Sequence, residues 1–121
     1  MEVRQDVTLY HGQDTTIEVT LLDDTGTAIP ANTIAGARWQ VADEPGGTAL
    51  LTKLLGAGQL TISNGLATII IADTDWHNGT VDVLEPGGIY EHELALRNTV
   101  GDKYPVCRGL VYVRPSAAGS A

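Results

Sequence analysis

"GIYEHELAL", residues 88–96, decides how this chain folds. Read as a strand, it sends successive side chains to opposite faces. Tyr90, His92, Leu94 and Leu96 then share one side, while Glu91 and Glu93 share the other, with Arg97 further along. The "EHE" triplet therefore does not converge. The two carboxylates stand about 6–7 Å apart on one face, from the rise per residue of a strand. That spacing matches a glycosidase carboxylate pair in distance alone. Nothing else in the sequence supplies a sugar cleft or raises one of the two pKa values. His92 is expected to be packed and hydrogen-bonded at the edge of the core, with the glutamates solvated.

The same period of two runs outward from this stretch. Val3, Val7 and Leu9 align in "VRQDVTLY", and Ile17, Val19 and Leu21 in "TTIEVTLL". Ala37, Trp39 and Val41 align in "ARWQVAD", and Cys107, Gly109, Val111 and Val113 in "VCRGLVYV". "LATIIIA" is apolar on both sides for part of its length. Alternation of this kind predicts half-buried strands. Turn chemistry separates them at short intervals, in "HGQD", "DDTGT", "DEPGG", "SNG", "HNG", "EPGG" and "VGD". "SNGL" predicts a hairpin, because Asn-Gly accepts positive φ at both central turn positions. "TALLTKLLG" fits a helical stripe as well as a strand and is read as a strand. "ADTDWHNG" has room for one short helical turn, with Asp73 as its N-cap. These signals predict an all-β fold, an immunoglobulin-like antiparallel β-sandwich of about 7–9 short strands. It occupies residues 1–114 as one domain, with 1–5 as an N-terminal arm and 115–121 as a tail.

Composition narrows the function classes. The chain has 121 residues, enough for one domain with a real core. Phe is absent, so Val, Leu and Ile carry that core. The net charge of −8 and the scattered bases argue against nucleic acid and against an anionic membrane surface. One cysteine, Cys107, permits no disulfide framework and is read as a buried, inert thiol. The start "MEVRQDV" has neither the basic nor the apolar region of a signal peptide, and no apolar run approaches a membrane span.

Motif by motif, no catalytic set emerges. "DTDWHNG" has its glycine one place late for a calcium loop and a histidine where an oxygen ligand belongs. The sequence contains no nucleophile elbow, no phosphate-binding loop and no dinucleotide fingerprint. No catalytic residue, cofactor or metal ligand is expected. Trp39 reads as core. Trp76 stands among polar residues, where it either lids the sandwich or anchors a partner. Trp76, His77 and Asn78, with Arg114, Pro115 and Ser116 of the tail, are the candidate partner-binding residues. Trp76 and the tyrosines also keep open an alternative, a carbohydrate-binding β-sandwich module.

Taken in order, "DVTLYHGQDTTIEVTLLDDTGTAI", "GARWQVADEPGGTALLTK", "ISNGLATIIIADTD", "GGIYEHELALRNTVGDKY" and "RGLVYVRP" carry a resemblance. The chain resembles the small immunoglobulin-like virion proteins of tailed bacteriophages. It is similar to the N-terminal domain of phage baseplate upper proteins over about residues 6–115. The matching motifs are Ala72-Asp73-Thr74, Gly88 to Leu94, and Arg108 to Val113. The stretch "WHNGTVDVLEP" departs from the family pattern by its length. The resemblance implies a non-enzymatic structural subunit of the virion, assembled in the bacterial host cytoplasm. A capsid decoration (cement) protein or a small tail or fibre-attachment subunit is expected. Its implied partners are other virion proteins and copies of itself.

Overall fold

A computed structural model describes residues 3–57, 59–78 and 81–115. The chain is all-β, and two sheets face each other across one core. The larger sheet contains β1 (Val3–Arg4), β2 (Val7–Tyr10), β4 (Ile34–Ala42), β5 (Ala49–Leu54), β10 (Ile89–Asn98) and β11 (Lys103–Arg114). β11 pairs with β10, β10 with β4, and β4 with the edge strand β5, all antiparallel. The smaller sheet runs β3 (Thr15–Thr20), β7 (Leu66–Ile71) and β6 (Leu60–Ser63). A separate two-stranded ribbon joins β8 (His77–Asn78) and β9 (Val81–Asp82). Two short 3-10 turns, Ala31–Thr33 and Asp73–Trp76, link strands. "TALLTKLLG" forms β5, as read.

Alternation placed the core correctly. Along β10, Tyr90, His92, Leu94 and Leu96 are buried, while Glu91, Glu93 and Arg97 are not. Trp39 of β4 lies opposite Leu94, and both are fully buried. Ile17, Val19, Ala67, Ile69 and Ile71 cover them from the smaller sheet, with Leu21 just beyond β3. On β11 a bulge opposite Leu94 and Ala95 turns both Val106 and Cys107 inward.

Three sequence expectations need correction. Of the arm expected over residues 1–5, Val3 and Arg4 form β1 against β11, while residues 1 and 2 lie outside the described residues; β1 and β2 both run parallel to β11. The large sheet is therefore mixed. The Asn-Gly hairpin has positive φ at Gly65 alone, because neighbouring backbone sets its shape. Asn64 Oδ1 accepts from the Ala31 N–H at 2.8 Å, and the Gly65 N–H donates to the Ile29 carbonyl at 3.1 Å. Asp73 is not the N-cap of its turn. Ala72 holds the N-cap position, and the carboxylate of Asp75 in the first turn reaches back to accept from its N–H at 2.8 Å.

Tyr90 fixes the entry to β10. Its hydroxyl oxygen accepts from the Glu85 N–H at 2.7 Å, a hydrogen bond of the tyrosine-corner kind. The ring lies so near Gly88 that a Cβ there would meet it at 2.7 Å. "GGIY" is thus a packing unit as well as a turn.

Candidate functional site

His92 is buried and bonded at both ring nitrogens. The Trp39 indole N–H, which can only donate, points at Nδ1 from 3.1 Å. Nδ1 is therefore the acceptor, and Nε2 carries the proton, donated to the Gln5 carbonyl at 2.6 Å. Gln5 reaches that position because the N-terminal strand breaks there, between β1 and β2. Gly109, paired opposite His92, makes room: a Cβ would sit 2.1 Å from the Gln5 carbonyl oxygen. Asp6 closes the break by accepting from the Leu110 N–H at 2.8 Å. Burial pushes the His92 pKa down, against smaller upward pulls from the Gln5 hydrogen bond, Asp6 and Glu91. His92 is thus a neutral structural histidine in its ground state, and both its nitrogens are committed.

Glu91 and Glu93 face away from it. They line a groove on the outer face of the large sheet with Gln40, Glu44 and Arg108. Glu93 is directly opposite Arg108, whose guanidinium donates to it at 2.6 Å. The pair is surface-exposed, so it contributes at most about 1 kcal/mol.

A second polar centre lies on the inner side of β5. The Lys53 ammonium is buried, donating to Asp75 at 2.6 Å and to the amide oxygen of Gln59. This pins an edge strand to the Asp73–Trp76 turn.

The third centre is one that the sequence reading, which expected no metal ligand, did not contain. His77 of β8 pairs with Asp82 of β9, so both side chains rise on one face of the ribbon. His11, in the turn after β2, meets them there. Asp82 Oδ1 lies 3.2 Å from His11 Nε2 and 3.1 Å from His77 Nδ1. The three ligand atoms all lie within 4.8 Å of one another.

Trp76 builds the floor. It is 1% exposed, so it lids the sandwich and offers no exposed face to a partner or a sugar. Its indole N–H donates to the Gln13 carbonyl at 2.9 Å, and its ring lies 5.1 Å from that of His11. The Asp73 N–H donates to Asp14 at 2.7 Å. The His11 N–H donates to the Arg114 carbonyl at 2.9 Å, so the end of β11 joins the same corner. Trp76, His77 and Arg114, named from two distant stretches, thus gather around His11. Pro115 is exposed beyond them. The backbone of Asn78 pairs with that of Val81, and Ser116 lies outside the described residues. "HNGTVD" held part of this signal, because it places His77 and Asp82 close in sequence, and β8 and β9 pair them directly. The approach of His11 across 66 residues of sequence had no local signal.

The fold and site define a two-layer β-sandwich with a histidine–aspartate cluster at one end. No protein-family model and no curated protein matches the chain. Among solved structures, it is similar to a 2,6-sialyltransferase of a Vibrionaceae Photobacterium species, solved with the donor product CMP and the acceptor substrate lactose. The identity is 9% and the TM-score 0.41, over 95% of this chain and 18% of that one. This chain therefore spans less than a fifth of that enzyme, and the likeness carries no inference about activity.

Proposed function

We propose that this chain is a non-enzymatic structural subunit of a tailed-phage virion, a capsid decoration (cement) protein or a small tail or fibre-attachment subunit. It docks on a neighbouring particle protein through the β5 side of its large sheet. The resemblance of "GIYEHEL" and "RGLVYV" to virion proteins supplies the class.

The observation that carries the docking is the surface beside β5. β5 is an edge strand, with Leu50 38% and Leu54 49% exposed on its outer face. Large apolar side chains on an open edge invite a partner strand or surface. Next to Leu54 runs a groove floored by Gly36 and Ala95 and rimmed by Arg38, Arg97 and Lys103. Three of the chain's seven basic residues thus collect on one face of an acidic protein. An apolar strip with a cationic rim fits a protein surface that offers carboxylates around an apolar patch. The sugar-binding alternative loses its main platform with the burial of Trp76.

Density-banded particles from the host that encodes this chain test the proposal. Mass spectrometry should find the chain in many copies beside the major capsid or tail protein. The double substitution Leu54→Glu, Arg97→Glu should deplete it from particles while leaving its melting curve intact. Particles complete without the chain would overturn the structural role. A double variant retained at full occupancy would overturn the docking surface alone.

A further inference from the structure

The His11, His77 and Asp82 cluster lies outside the buried apolar core. Two of its members, His77 and Asp82, sit on the β8–β9 ribbon, inside "WHNGTVDVLEP", the stretch that departs from the family the sequence resembles. We propose that these three residues bind a divalent transition-metal ion of the zinc class, which ties the turn after β2 to the β8–β9 ribbon. Two imidazole nitrogens and a carboxylate oxygen form a donor set that suits zinc and its first-row neighbours. Magnesium and calcium prefer oxygen donors throughout.

The spacing fits as well as the chemistry. Tetrahedral ligands about 2.0–2.1 Å from an ion stand about 3.4 Å from one another. The two histidine-to-aspartate separations are 3.2 and 3.1 Å, close to that edge, and the two histidine nitrogens lie within 4.8 Å of each other, so side-chain rotation that brings the rings together seats the ion. The His11 and His77 rings meet edge to face, centroids 5.5 Å apart. His11 is the anchored ligand, 13% exposed and backed by the Trp76 ring. His77 and Asp82 are 42% and 34% exposed, so the cluster opens to solvent on one side. The remaining coordination positions are free for water or for a donor from a neighbouring subunit.

Ion binding requires a lone pair at His11 Nε2 and at His77 Nδ1. Each neutral imidazole meets that by carrying its proton on the other nitrogen.

Calorimetric titration of the tag-free full chain with ZnCl2 is the test, with MgCl2 as the contrast. One Zn2+ per chain should bind, raising the melting temperature, while Mg2+ does neither. His77→Ala and Asp82→Asn should each weaken Zn2+ binding by more than about tenfold, since even outer-shell changes cost that much. Both positions are partly exposed, so the metal-free melting temperature should hold. NMR of the unchanged chain reads the site without any substitution. Zn2+ should shift the ring resonances of His11 and His77 and leave buried His92 unmoved. Absence of Zn2+ binding would overturn the site, as would binding that survives both substitutions or an ion that perturbs other side chains instead.

Discussion

His92 shows how one buried ring can set a pH response. Burial lowers its pKa below the ordinary value of 6.5, so the folded chain refuses a proton that the unfolded chain accepts. Its contribution to stability is complete above that value and is lost as the pH falls from there through the folded-state pKa. Asp23 responds in the same direction but lower. Its carboxylate is held below 3.8, first by the Thr25 hydroxyl and then by the backbone N–H groups of Thr27 and Thr25. The two windows are therefore separable. Denaturant titrations should show stability falling as the pH drops below 6.5, and His92→Gln should flatten that part of the profile. An unchanged profile in the variant would assign the response elsewhere. Gly109 is the steric counterpart. Gly109→Ala drives a methyl into the Gln5 carbonyl, which is backbone and cannot rotate away. A loss of about 1–3 kcal/mol is expected, the usual cost of overpacking. Faster amide exchange at Gln5, which donates to the Arg108 carbonyl, and at Leu110 would localise it.

β5 and the Asp73–Trp76 turn show where local pattern stops being informative. The alternation of "ALLTKL" puts Lys53 on the inward side with Leu51, a charge where the pattern wants an apolar residue. Its partners, Gln59 and Asp75, lie 6 and 22 residues away, and only the fold brings them together. Trp76 sits among Asp, Thr, His and Asn, so local composition left two readings open, a lid on the sandwich or an anchor for a partner. Docking of its turn on the "HGQD" segment makes it the lid. Strand faces were readable because each depends on a local period of two. The parallel pairing of β1 and β2 with β11 was not, because it joins the two ends of the domain. The Lys53–Asp75 bond predicts an asymmetry. Asp75→Ala strands a buried ammonium, which should cost about 3–5 kcal/mol. Lys53→Met leaves behind a carboxylate that is 18% exposed and still accepts from the Ala72 N–H, so water can compensate. It should cost distinctly less, and chemical denaturation of both variants checks the order. Equal losses would mean that packing of the lysine stem outweighs its charge.

The distribution of charge over the sandwich sets how it meets other proteins. At a net charge of −8, copies repel one another at long range. Arg38, Arg97 and Lys103 nonetheless make one groove on its outer face cationic, beside the apolar strip of Leu50 and Leu54. The two features respond differently to salt. The Debye length falls from about 30 Å at 0.01 M to about 10 Å at 0.1 M, so charge-guided docking weakens as salt rises. Apolar burial has no such dependence at these concentrations. On the proposed virion role, purified chain added back to particles stripped of it should therefore bind less tightly at each step up in salt. Arg97→Glu should lower affinity at low salt and reduce the salt dependence, because an exposed pair is worth about 0.2–1 kcal/mol and is screened. Leu50→Ser and Leu54→Ser should lower affinity by about 1 kcal/mol apiece, roughly fivefold, at every salt concentration and leave the slope unchanged. Affinity that rises with salt would reverse the assignment. It would mean that repulsion between acidic surfaces, rather than attraction to the cationic groove, governs the contact.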